Sequence, residues 1–167
     1  MSVIIRKWTW EDLPNLVLYA NNINIWNHLR DYFPHPYTEE AGKAWLQTVV
    51  DVEPVINFAI EYNGAAMGGI GLILNQDVYA KSAEISYWIG EPFWGIGIAT
   101  EAARQMVEYT FYYFDIIRLY AEVFEINKAS MRVLEKNGFY LEGVRRKAVI
   151  KNGVLMDDYI WVKLRPW

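Results

Sequence analysis

The chain has no cysteine, only two histidines, and no apolar run near the ~18 residues that a membrane-spanning helix requires. Lacking cysteine, it can build no disulfide framework, no thiolate metal site and no cysteine nucleophile. His28 and His35 are separated by a stretch that includes Pro34, an arrangement that builds no metal centre, and no metal is expected. Positive charge is also short: 16 Lys and Arg stand against 20 Asp and Glu, with a pI near 5.2. That balance argues against nucleic acid as the main partner. The opening Met1–Lys7 lacks the apolar core and cleavage site of a secretory signal. The expectation is therefore a cytoplasmic protein without membrane association.

What is present is apolar and aromatic. Hydrophobic residues make up 53% of the 167, a length and composition suited to one domain with a substantial core. No repeat, linker or low-complexity run interrupts it, so residues 1–167 are read as a single domain. The charge is uneven. Residues 1–117 hold 6 basic and 14 acidic side chains, whereas residues 118–151 hold 8 basic and 4 acidic. The basic segment suits a polyanionic ligand and the acidic part an amine, although both also fit ordinary solvated surface.

The stretch with most chemical content runs from Tyr87 to Ala102. Ala83, Ile85, Tyr87 and Ile89 alternate with Glu84, Ser86 and Trp88, which predicts a strand. Gly95 and Gly97 follow, and Ala102, Ala103, Met106 and Val107 then recur at helical spacing. A helix N-terminus offers unpaired N–H groups and the positive end of the macrodipole, so this junction is the best anion site in the chain. A P-loop is nearly met by Gly90 and Gly95, but Ile96 and Gly97 stand where Lys and Ser or Thr are needed. The dinucleotide pattern fails at Thr100, where a third glycine belongs. Gly69-Ile70-Gly71 is a chance match inside a predicted hairpin.

Around this junction the sequence predicts β-α-α-β-β-β-α-β-α-β-β. Thr9 and Thr38 are read as helix caps, and Asn63-Gly64 and Asn152-Gly153 as hairpin turns. Pro34 and Pro36 stop any helix before them. Asn127 to Lys136 reads as a helix, ended at Asn137-Gly138. The order implies an α/β (α+β) fold, a mixed sheet with helices on both faces.

Several motifs taken together resemble the GNAT acetyltransferase superfamily, in its Rim-type branch of ribosomal-protein N-terminal acetyltransferases. They are Ala83–Gly90, Gly97–Ala102, Asn127–Phe139 and Glu142–Arg145. The coenzyme A loop of that family is Arg or Gln, two residues, Gly, one residue, then Gly or Ala. Here Trp94, Gly97 and Ala99 occupy those places, Trp94 being the departure. The resemblance spans roughly residues 3 to 164 and implies a GNAT fold with a six- to seven-stranded central sheet.

It also implies acetyl transfer from acetyl-CoA to a primary amine, in a ternary complex without metal. The amine would be a protein N-terminus or a small molecule; the alternative is a non-catalytic acyl-CoA-binding domain. The pantetheine would lie along Trp88 and Ile89, with an oxyanion donor near Ile89 worth ~3 kcal/mol. The pyrophosphate would sit on Gly95, Gly97, Ile98, Ala99 and Thr100, beside Trp94. Asn127 and Ser130 would touch the cofactor. Glu84 would be the base, or else a structural carboxylate paired with a neighbouring strand. Many relatives place a proton-donating Tyr where this chain has Leu134, so Ser130 becomes the substitute acid, or else merely bonds its own helix or the pantetheine. Trp26, His28, Arg30, Asp31, Phe33 and Tyr37 would form the acceptor wall, or else, for any single ring, pack the first two helices together. Trp45–Val50 and the apolar last strand would suit a homodimer.

Overall fold

In the computed structural model, which describes residues 2–167, seven strands form one sheet. They are β1 (Val3–Lys7), β2 (Asn57–Tyr62), β3 (Ala65–Leu74), β4 (Ser82–Ile89), β5 (Arg118–Phe124), β6 (Tyr140–Lys151) and β7 (Val154–Leu164). Their spatial order is β1-β2-β3-β4-β5-β7-β6. All neighbours are antiparallel except β4 and β5, which run parallel. Asn63-Gly64 and Asn152-Gly153 turn two of the hairpins with positive φ at both residues, as the tightest hairpin loops require.

Five helices cover the two faces. α4 (Ile98–Tyr113) and α5 (Lys128–Lys136) lie on one face, where Met106, Leu119 and Leu134 are fully buried. Side chains of that kind contribute about 1.5–3 kcal/mol each on burial. α1 (Leu13–Ala20) and α3 (Glu39–Val49) lie on the other face, packing Leu16, Ala20 and Leu46 against Trp8, Tyr37 and Ala59. The alternation expected along β4 is present: Ala83, Ile85 and Ile89 join the first core, and Trp88 packs against the second. Gly69 makes room for that indole, since a Cβ there would lie 2.9 Å from Trp88 Nε1.

One helix was not expected. α2 (Ile23–Trp26) is four residues long, started by Asn22, whose side chain accepts from the Asn24 N–H at 2.8 Å. Nor does Thr9 lead straight into a long helix. A 3-10 turn over Trp10–Asp12 comes first, and Asp12 reaches back to the Thr9 N–H at 2.9 Å. The two elements expected to serve a homodimer are only partly covered within the chain, and Val154, Leu155 and Leu164 of β7 stay exposed. Trp45, Leu46 and Val49 pack into the second core, and β7 lies between β5 and β6 rather than at an edge.

Asp12 also ties β1 to α1, accepting from Arg6 at 2.9 and 2.8 Å while buried itself. Burial raises its pKa, but the Arg6 and Thr9 bonds outweigh that and hold the carboxyl below its usual 3.8. A depressed acid stabilises the fold above its unfolded pKa and loses that contribution as pH falls through the folded value. Asp12→Asn is therefore expected to cost about 1–3 kcal/mol in urea unfolding at pH 7. Wild type and variant should converge as pH falls below 3.8.

Candidate functional site

The site begins where β4 and β5 part. Their pairing is limited to Ser82–Arg118, Ala83–Leu119 and Glu84–Tyr120, and beyond Glu84 the strands diverge. A cleft of about 930 Å³ opens there, lined by residues 84–89 of β4 and by Ala121, Glu122, Val123 and Phe124 of β5. Gly90 donates to Met67 O at 2.8 Å, on the β3 side. Alternation along the strand then turns the N–H and C=O groups of Ile85, Tyr87 and Ile89 away from β3 and into the opening. An extended amide-bearing ligand can pair with Tyr87 and with the Ile89 N–H as a missing strand would. Trp88 pairs the other way. Its polar main chain faces β3 and its indole packs near Phe33 at 6.0 Å, so Ile89 rather than Trp88 offers an amide to the cleft.

The cleft ends at the start of α4. Gly95 and Gly97 adopt φ of 78° and 89°, the left-handed region, and Gly97 caps the helix. The first helical bond runs from the Glu101 N–H to Gly97 O, leaving the amides of Ile98, Ala99 and Thr100 without a partner in the helix. All of them line the cleft, as do Arg132 and Lys136 of α5. Those two cations carry the basic segment to the anion end of the site, although neither was singled out from the sequence. Trp94 holds the loop against β4: its indole N–H donates to Ile89 O at 2.7 Å.

Glu84 is on the α1–α3 face, 4% exposed. Arg30, from the segment after α2, donates to both its oxygens and also to Glu122 Oε2 at 2.9 Å. One guanidinium thus bridges β4 and β5 where they separate, and Glu84 is a paired carboxylate that also borders the cleft. On the opposite face Ser130 Oγ is 2.9 Å from Tyr87 Oη, and the Ser130 N–H is capped by Asn127 at 3.2 Å. Burial pushes the Tyr87 phenol up and the bond to Ser130 pulls it back, leaving a neutral hydroxyl. Tyr87 is thus a proton-bearing group that alternation alone had assigned to the core. Leu134, where relatives place a Tyr, is fully buried.

The expected acceptor wall is only partly assembled. His28, Arg30 and Phe33 line the cleft, and His28 stacks on Trp94 at 6.4 Å. Tyr37 touches it but is a core residue, 4% exposed, whose phenol burial pushes up to about 12. Trp26 is not among the cleft residues; its ring carries the Lys151 ammonium at 3.4 Å. Asp31 pairs with the same lysine at 2.8 Å. Glu91, in the loop, takes hydrogen bonds from Asn22 and Asn24, tying α2 to the anion end.

The model of the acetyltransferase (GNAT) domain family matches residues 2–140. The chain belongs to the GNAT acetyltransferase family. It is similar to the probable N-acetyltransferase YjcK of Bacillus subtilis (strain 168), 43% identical over 86 residues. That match takes in 52% of this chain and 48% of YjcK, about half the length of the relative. The putative ribosomal N-acetyltransferase YdaF of the same organism is 33% identical over 133 residues, 78% of this chain and 71% of YdaF. In fold the chain resembles RimL, a ribosomal L7/L12 α-N-protein acetyltransferase solved with coenzyme A. The TM-score is 0.83 at 20% identity, over 98% of this chain and 94% of that one.

Burial lowers the His28 pKa below its ordinary 6.5, so the imidazole facing the cleft is neutral at pH 7. A histidine NMR titration should show its midpoint below 6.5, moving upward in Trp94→Ala as the stack opens to water. A midpoint that stays put would show that the Trp94 ring does not desolvate it.

Proposed function

We propose that this chain is a cytoplasmic single-domain enzyme that transfers the acetyl group of acetyl-CoA to a primary amine, by direct attack in a ternary complex. The observation that carries this reading is the parting of β4 and β5 beyond Glu84, which leaves Tyr87 and the Ile89 N–H without a strand partner in a cleft ending on the α4 amides. The fit to coenzyme A is chemical. Amides at residues 97–100, with Arg132 and Lys136, receive phosphates, and the unpaired edge of β4 receives the two amides of the pantetheine arm.

The two faces of the sheet then divide the chemistry. Glu84, Arg30 and His28 border the amine on one face, while Ser130 and Tyr87 border the leaving sulfur on the other. The amine nitrogen attacks the thioester carbon, and the Ile89 N–H stabilises the oxyanion. The carbon–sulfur bond breaks as Ser130 Oγ gives its proton to the thiolate and takes one from Tyr87, whose phenol is restored through water by the proton that the attacking nitrogen sheds as the amide forms. Glu84, already holding Arg30, attracts the ammonium and takes up its proton through water. Arg30 and Phe33 orient the acceptor, which is a protein N-terminus, in line with the similarity to the putative ribosomal N-acetyltransferase YdaF, or a small amine.

The test is thiol release from acetyl-CoA across N-terminal peptides, alkyl amines and aminoglycosides, free of protein background because the chain has no cysteine. Turnover supports the reading; tight binding of acetyl-CoA with none would mark a non-catalytic domain. Ser130→Ala and Tyr87→Phe should each lower kcat about 10²-fold, and the double variant little further, because the two hydroxyls act as one relay. An unchanged kcat in Ser130→Ala would remove it from the chemistry. An α-amine near ~8 is partly neutral at pH 7, while an alkyl amine near ~10.4 is not. Glu84→Gln should therefore lose more activity on alkyl amines than on peptides, and equal losses would count against Glu84 as the proton acceptor.

A further inference from the structure

A second cavity of about 370 Å³ adjoins the main cleft and shares Arg30, Glu122 and Phe124 with it, so the Arg30–Glu122 bridge forms part of the wall between them. Its other side is built from β7 and from the stretch of β6 where the register slips between Arg145 and Val149. Asp158 lines it and is 2% exposed. Asp158 Oδ2 accepts from Arg145, but Oδ1 is buried without any hydrogen-bond partner. A buried carboxylate oxygen left unpaired is costly, and a native site that keeps one calls for a donor from outside the chain.

The charges around it point to the sign of that donor. Glu84, Glu122 and Asp158 share only Arg30 and Arg145, three carboxylates to two guanidinium groups. Lys151 also lines the cavity, but it is neutralised by Asp31. One negative charge is left over. No cluster of three metal-binding side chains exists among the described residues, and Ala148, Val149 and Ile150 give the cavity an apolar flank. A monovalent organic cation on a methylene stem satisfies all three conditions. Burial raises the Asp158 pKa and Arg145 pulls it back; an ammonium at Oδ1 would add a second pull in the same direction.

We propose that this cavity is the subsite for a second, unreacting ammonium group of the acceptor, received by Asp158 Oδ1, and that the acceptor is a short α,ω-diamine. This rests on the acetyltransferase reading: the reacting nitrogen lies at Glu84 in the main cleft, and its methylenes pass the Arg30–Glu122 bridge. The experiment compares KM for α,ω-diamines of three to six carbons with the monoamines and ω-amino acids of equal length. The best diamine should show a KM at least tenfold below its monoamine, with the ω-amino acid poorest. Asp158→Asn should raise the diamine KM at least tenfold more than the monoamine KM. Ala148→Trp, which fills the cavity and leaves the charges in place, should do the same and serves if Asp158→Asn does not fold. Equal KM values for diamine and monoamine, a preference for peptides over every diamine, or equal effects of the variants on both amines would overturn the proposal. Should no amine be acetylated, the acetyltransferase reading fails separately. Calorimetric binding of 1,4-diaminobutane to the coenzyme A-saturated protein, lost in Asp158→Asn, would then support the subsite, and no binding would overturn it.

Discussion

Everything in this site depends on a sheet that stops pairing halfway along. β4 and β5 meet at three residue pairs and then separate, and a sheet that loses a ladder in its centre must satisfy the exposed edges some other way. Here the first turn past the split is held by Arg30, which bonds Glu84 on one strand and Glu122 on the other. That contact keeps the strands at a fixed separation without closing the gap. It holds the unpaired amides of β4 in place, and it divides the main cleft from the smaller cavity beside Asp158.

The same opening explains how the proposed reacting groups can come from opposite faces. Side chains alternate along a strand, so Glu84 and Tyr87, three residues apart, point to different sides of the sheet. In a closed sheet they would never share a ligand. Across a gap they can, so that an amine approaching from the α1–α3 side could meet a thioester held on the α4–α5 side.

Features written in short stretches of sequence were legible. Asn-Gly pairs turned the hairpins, Thr38 and Asn127 capped α3 and α5, and the glycine loop led into α4 as its pattern implied. Features made by distant residues were not. Nothing near Tyr87 foretells Ser130 from α5 at 2.9 Å, because alternation shows only which face a phenol takes. Arg30 and Asp31 are neighbours, yet they serve different partners, Glu84 and Lys151, that lie far away in the chain. The aromatic stretch after α1 reads the same whether its rings pack or bind. In the fold Tyr37 packs, Phe33 borders the cleft, and Trp26 carries a lysine. The four-residue α2 escaped notice because its start depends on one Asn side chain rather than on a periodic pattern.

The place of β7 has a consequence for how the molecule is made. β5 has only three residue pairs with β4, and the other edge of β5 is paired along its whole length by residues 158–164, in the strand of this sheet that comes latest in sequence. Until that strand leaves the ribosome, β5 has a sheet partner only at those three pairs. The glycine loop and α4 are translated well before it, and they can dock on β1–β4 early. The glycine-loop end of the cleft can therefore form while the nascent chain is still growing, and the β5 side of the cleft waits for the β6–β7 hairpin. Ordering of the catalytic gap is thus a late, long-range step, tied to the closing residues of the fold rather than to the motif that first draws the eye.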